Sequence, residues 1–299
     1  MKQRTLKRIY RFEGKGLHSG RFVHMSLKPA PADTGIVFIR TDKNLTVKAL
    51  ADNVSLTSRS TTISENGVSV STIEHLMSAL YGLGADNVFV ETDEAELPIL
   101  DGSAMPYVDA VSRDGLIEQD AERHYIEFDS AVEIRDEKSG SWIRVTPSDE
   151  PSFDVTIDFN SRVLGIQTAH WDLNTDYSEQ IAPCRTFVFF HEIKFLAALG
   201  LVKGGDVENA IVIVEKPVSD RVLSRMARTF NQPELSVTPE GYLSNLSLRF
   251  PDECGRHKLL DVMGDLSLVG GYMKARVEAY KPGHSINTKA AKLIREKTR

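Results

Sequence analysis

The run Arg256-His257-Lys258-Leu259-Leu260-Asp261-Val262-Met263-Gly264-Asp265 carries an imidazole and two carboxylates at four-residue spacing. Read as a helix, it places His257, Asp261 and Asp265 on one face, because residues four apart lie one above another. Leu259, Leu260, Val262 and Met263 fall on other faces, where they can bury. An imidazole and a carboxylate one turn apart can reach a single divalent cation. Two ligands are too few for a site. An HxxxD standing alone is more often a polar helix face, so a third ligand has to come from elsewhere.

The other conspicuous pair is Glu74-His75, in Ser71-Thr72-Ile73-Glu74-His75-Leu76. These residues read as a helix start, with Ser71 or Thr72 as cap and a carboxylate where the helix dipole favours negative charge. By itself the pair is a capping acid beside a half-buried histidine. Joined to His257 and Asp261, His75 gives two nitrogens and one oxygen, a set zinc tolerates, with a fourth position open for water. Glu74, the neighbour of His75, could then take a proton from that water without binding the metal. His284 follows Gly283 in an expected turn; charged, it could stabilise an oxyanion or protonate a leaving amine. Asp265 could hold that imidazole charged.

A repeat supplies the elements that position these residues. The helix opening at 71–76 ends at Gly82-Leu83-Gly84, a glycine stop. A strand at 87–91 follows, then Pro98-Ile99-Leu100-Asp101-Gly102-Ser103 and a helix from about Met105. The stretch around His257 runs to about Val269 and stops at Gly270-Gly271. After it come a strand at 273–280, Lys281-Pro282-Gly283-His284-Ser285, and a helix at about 288–297. The same order thus occurs twice, which predicts an internal duplication and an α+β fold of two similar domains. The first helices of the two halves would meet at the domain interface, where a cleft is expected. Strands are read at 2–13, 21–28 and 36–39 in the first half, and at 125–135, 141–147 and about 153–159 in the second. Residues 53–62 are rich in serine and threonine. Residues 118–123 turn charged and lose the apolar period, which sets the domains at 1–120 and 125–299.

Composition narrows the function. The 299 residues carry a formal net charge of −6 and no long like-charge run, against nonspecific nucleic-acid binding. No apolar run reaches bilayer length, and MKQRTLKRIY lacks a secretory apolar core. The two cysteines, Cys184 and Cys254, make no disulfide framework and neither has a partner at ligand spacing, so both read as structural. Together these point to a reducing cytosol.

The longer matches are KQRTLKRI at 2–9, GKGLHSG at 14–20, STIEHLMSALYGLGADN at 71–87, LPILDGSAMPYV at 97–108, CRTF at 184–187, GGDVENAIV at 204–212, RHKLLDVMGDL at 256–266 and KPGHSINTK at 281–289. With these eight in register over its full length, the chain closely resembles the zinc-dependent UDP-3-O-acyl-N-acetylglucosamine deacetylases of lipid A synthesis in Gram-negative bacteria. The resemblance implies two α+β domains, each a sheet with two helices, packed helices against helices. It implies removal of the N-acetyl group from a UDP-3-O-(3-hydroxyacyl)-N-acetylglucosamine, giving acetate and the free amine. Metal ligands of the family match His75, His257 and Asp261, and its general base matches Glu74. His284 matches the second acid-base or electrostatic histidine, Asp265 the residue that orients it, and Thr186 a threonine that helps polarise the carbonyl. Lys258 matches a lysine that contacts substrate, and Phe187 and Phe189 match aromatics against the nucleotide sugar.

An apolar passage for the acyl chain is expected at an insert of about 191–212, with Ile193, Val202 and Val212 lining it and Leu17 near its mouth. Lys203-Gly204-Gly205 would turn the chain inside that insert. The cofactor implied is Zn2+, with Fe2+ as the substitute, and the protein is expected to be a cytoplasmic monomer. Some relatives carry a fused dehydratase domain beyond this stretch. The sequence departs from a familiar version of the family at Val188-Phe189-Phe190-His191-Glu192, so ribose and uracil contacts do not carry over there. Residues 220–248 are also longer and different. His18, in its glycine turn, could face substrate. The rival reading is a catalytically idle metalloprotein that binds a sugar nucleotide or lipid; its weakness is that mere binding would not require base, ligands and second histidine together.

Overall fold

The computed structural model describes residues 1–193, 209–229, 232 and 234–298. In the strand Phe22–Pro29 the side chains of Val23, Met25 and Leu27 are buried while Phe22 and His24 are exposed, the period-two pattern of a sheet with one covered face. This strand is second in a five-stranded sheet ordered Tyr10–Lys15, Phe22–Pro29, Val88–Thr92, Ile36–Arg40, Leu45–Lys48. Every neighbour is antiparallel except Val88–Thr92 with Ile36–Arg40. The second sheet repeats the plan: Val132–Asp136, Ser141–Pro147, Ala275–Tyr280, Ser152–Asp158, Ile166–Asp172, again with one parallel pair between third and fourth.

A parallel pair needs a crossover, and the crossover is where the helix goes. In the first half it includes Glu74–Leu83, in the second Glu253–Leu266. Each half also has a second helix, Met105–Ser112 and His284–Lys297. The two crossover helices pack on each other and each is buried on nearly all sides; the second packs also on Ser152–Asp158 and Ile166–Asp172 of its own sheet. The duplication and the helix-to-helix packing expected from the sequence are therefore present.

Several local expectations are corrected. The first helix has no side-chain cap: its preceding residue is Ile73. Ser71 ends the strand Val68–Ser71 and its hydroxyl donates to the Ala95 carbonyl. Thr72, at φ +59°, donates to Glu96. Both hydroxyls are spent on the loop Glu94–Glu96. Residues 53–62 lead into a three-stranded sheet of Val54–Leu56, Thr62–Glu65 and Val68–Ser71. The charged stretch at 118–123, Arg123 apart, lies in the strand Leu116–Glu122, paired antiparallel with Lys2–Leu6. It lacks an apolar period because no side chain of that strand is fully buried. Strand 2–13 is interrupted between Leu6 and Tyr10, strand 125–135 between Ile126 and Val132, and Ile166–Asp172 was not anticipated. The last helix begins at His284, four residues earlier than expected.

Candidate active site

One crossover helix contributes His75 and the other His257 and Asp261. The Nε2 atoms of His75 and His257 lie 3.8 and 3.5 Å from the same oxygen, Oδ1 of Asp261. The three donor atoms all fall within 4.8 Å of one another, and the two rings meet edge to face at 5.0 Å. Ligands ~2 Å from a tetrahedral cation stand roughly 3.3 Å apart, so little adjustment is needed to grip one.

Three observations test whether these residues fit a cation. Asp261 Oδ1 is buried and without a hydrogen-bond partner among the described residues, a costly state that a cation relieves. Burial, then the neighbouring His257, pushes His75 down to about 3, and burial also lowers His257, so both rings are neutral with a lone pair to give. His257 Nδ1 is 3.0 Å from the Cys184 carbonyl; it donates there, which leaves Nε2 facing Asp261. Two imidazoles and a carboxylate suit a divalent transition metal. Lys258 places Nζ 2.6 Å from Asp261 Oδ2. Burial opposes the Asp261 charge, but Lys258 and the imidazoles outweigh it and hold the carboxyl well below its usual range.

Beside the triad stand Glu74 and His284. Glu74 Oε2 accepts the Thr61 N–H at 3.0 Å, and Oε1 lies 4.0 Å from His284 Nε2. Burial pushes Glu74 up to about 7, against the pull of His284. Burial also opposes charge on His284, yet Asp265 and then Glu74 outweigh it and push it up to about 9. The reason is on the far side of the ring: Nδ1 donates to Asp265 Oδ2 at 2.9 Å. A carboxyl near neutrality beside an imidazole that keeps its proton above it is the pairing acid-base chemistry requires.

These residues share a cavity of about 390 Å³. Thr186 lines it, held between the halves: its N–H donates to the Gly102 carbonyl at 2.8 Å and its carbonyl accepts from Ile211 at 2.9 Å. Lys258, Phe187, Phe189, Leu17, Ile193 and Val212 line it as well. Phe187 and Phe189 belong to the strand Phe187–Phe189, parallel to Ile211–Ile213. Val202 and Lys203-Gly204-Gly205 lie outside the described residues. Asp265 is fully buried behind His284 rather than in the wall. Sequence reasoning missed Phe159, whose ring meets Phe187 at 5.5 Å and Phe189 at 5.7 Å, and Arg59, 3.9 Å from Glu192. It also missed Thr61 and Asn287, which bond the two site carboxylates. No periodicity marks such residues; only neighbours in space do. His18 does face the cavity, with Nε2 buried and without a partner among the described residues.

A model of the family LpxC: UDP-3-O-acyl N-acetylglycosamine deacetylase matches residues 3–232 and 230–296. The chain belongs to that family. A Porphyromonas gingivalis protein named bifunctional enzyme LpxC/FabZ is 45% identical over 297 residues, which cover 99% of this chain and 64% of the relative. Its Bacteroides thetaiotaomicron counterpart is 42% identical over 301 residues, covering 100% and 65%. A Nautilia profundicola protein named UDP-3-O-acyl-N-acetylglucosamine deacetylase is 40% identical over 288 residues, covering 96% and 89%. The chain thus spans just under two thirds of the bifunctional LpxC relatives and most of the single-function one. Among the described residues no helix is long and apolar enough to cross a membrane.

Proposed function

We propose that the chain is a metal-dependent amidohydrolase that removes the N-acetyl group from UDP-3-O-(3-hydroxyacyl)-N-acetylglucosamine, an early step of lipid A synthesis in the cytoplasm. The observation that carries this reading is the meeting of the His75–His257–Asp261 triad with Glu74 and His284 at one cavity. The triad would hold Zn2+, or Fe2+ in its place, and the chain would act as a monomer. A divalent cation there supplies Lewis acidity toward a carbonyl oxygen and makes water nucleophilic at neutral pH.

The side chains account for the remaining chemistry. Glu74 accepts the proton of the attacking water, and its raised pKa makes it able to release that proton again. His284, kept charged by Asp265, offers Nε2–H to the oxygen on which negative charge develops, with the Thr186 hydroxyl as a second donor. The departing amine takes its proton from Glu74 or His284. Lys258 exchanges part of its contact with Asp261 for substrate. Phe187 and Phe189 present ring surface to the nucleotide sugar, and Leu17, Ile193 and Val212 contact the acyl chain.

The test is acetate release from UDP-3-O-acyl-GlcNAc by the purified, metal-loaded chain beside Glu74→Gln. Loss of a positioned base is expected to cost about 10²–10⁴-fold, with metal content unchanged. A wild-type chain no faster than Glu74→Gln overturns the reading and leaves the sugar-nucleotide binding protein in its place.

A further inference from the structure

Thr61 is fully buried and touches both carboxylates that flank His284. Its N–H donates to Glu74 Oε2 at 3.0 Å, within its own half of the molecule. Its hydroxyl donates to Asp265 Oδ1 at 2.5 Å, in the other half. The second Asp265 oxygen, Oδ2, receives His284 Nδ1 at 2.9 Å and Asn287 Nδ2 at 2.8 Å. Each carboxylate therefore has one oxygen occupied by Thr61 and the other turned toward the imidazole: Glu74 Oε1 at 4.0 Å from Nε2, Asp265 Oδ2 against Nδ1.

We propose that Thr61 is a positioning residue, which assigns one oxygen of Glu74 and one of Asp265 to His284 and so sets the orientation of that ring across the domain interface. The inference rests on the deacetylase reading above for its effect on turnover, but not for its effect on the ring. A carboxylate held only through Oδ2, even by His284 and Asn287 together, can still turn its plane about the Cβ–Cγ bond; a donor on Oδ1 as well removes that freedom. Because the main-chain N–H and the hydroxyl come from one residue, a shift of Asp265 is transmitted to Glu74.

Two substitutions divide the hydroxyl from the shape. Thr61→Val keeps the volume and the N–H but loses the donor; Thr61→Ser keeps the donor but loses a methyl. In the metal-loaded enzyme, kcat of Thr61→Val is expected to fall about 10- to 100-fold with KM within about twofold, and Thr61→Ser to stay within about threefold of wild type. In an Asp265→Asn background Thr61→Val should cost nothing further. The ¹⁵N-edited imidazole signals of His284 should move in Thr61→Val and not in Thr61→Ser. Thr61→Ala, which also lacks the donor, gives the same comparison if the valine variant does not fold. Wild-type kcat and unmoved His284 signals in the donor-less variants overturn the proposal, as does a serine variant as impaired as the valine one, which would mean packing. A wild-type chain that releases no acetate overturns the deacetylase reading alone, since the His284 signals still decide the role of Thr61.

Discussion

Gly264 lies so close to Glu74 that a Cβ at position 264 would stand 2.1 Å from the Glu74 carbonyl oxygen and 2.9 Å from its carbon. The crossover helix of one half thus passes over the start of the other with no side chain between them. That approach sets the distance from His75 to Asp261, one turn away.

Gly264→Ala has to push the two helices apart, since neither backbone can give way as a flexible side chain would. Overpacking of this kind costs about 1–3 kcal/mol. Metal affinity and acetate release should both fall, although no ligand is touched. Denaturant midpoints and a metal titration check this; wild-type metal affinity in the variant would show that the glycine does not govern the site.

Asp261 Oδ1, buried and unpaired among the described residues, predicts that the folded chain is stabilised by its cation. At free Zn2+ about 100-fold above Kd the gain is about 2.7 kcal/mol. Chelation should lower Tm and added Zn2+ should restore it. His75→Ala should stay folded yet show little of this response, because one of three ligands is gone. Equal Zn2+-induced shifts in wild type and His75→Ala would remove His75 from the ligand set.

The pH dependence follows from two groups in opposite states. Glu74, at about 7, must be ionised, so kcat/KM is lost as pH falls through that value; His284, at about 9, must be protonated, so it is lost as pH rises through that one. A bound cation, being positive, moves both limbs to lower pH. Asp265 is the largest influence holding the His284 proton on. Asp265→Asn should therefore shift the alkaline limb down and leave the acid limb nearer its place. A pH–rate profile with an unmoved alkaline limb would take His284 out of the acid role.

Arg185 and Glu253 form a nearly inaccessible ion pair, with Arg185 Nε 2.9 Å and its main-chain N 3.0 Å from Glu253 Oε1. Glu253 begins the helix that carries His257, and Arg185 sits between Cys184, whose carbonyl orients His257, and Thr186. Arg185→Met leaves a buried carboxylate uncompensated, a loss of about 3–5 kcal/mol. Urea unfolding measures it, and weaker metal binding should accompany it. A change under about 1 kcal/mol would mean that the pair does not hold this loop.

Much of the site was legible because its chemistry is written in local spacing. His257, Asp261 and Asp265 stand at helical intervals, and Glu74 adjoins His75, so a helix alone groups them. The repeated order of helix, glycine stop and strand is equally local, and both halves build the same sheet from it. What failed was also local in appearance. Ser71 and Thr72 look like caps, but the loop Glu94–Glu96 takes their hydroxyls. The charged stretch at 118–123 hides the strand Leu116–Glu122, because a strand with no fully buried side chain has no covered face to impose a period.

Residue types and spacing by themselves determined the two halves, the helices that face each other and the identity of the donor atoms. Only the tertiary structure decided that His75 comes within 3.8 Å of Asp261, that Asp261 Oδ1 is left without a hydrogen-bond partner among the described residues, and that Thr61 reaches both Glu74 and Asp265. Periodicity reports which face of an element is covered. It carries no information about what covers it, and here the crossover helix of each half covers that of the other.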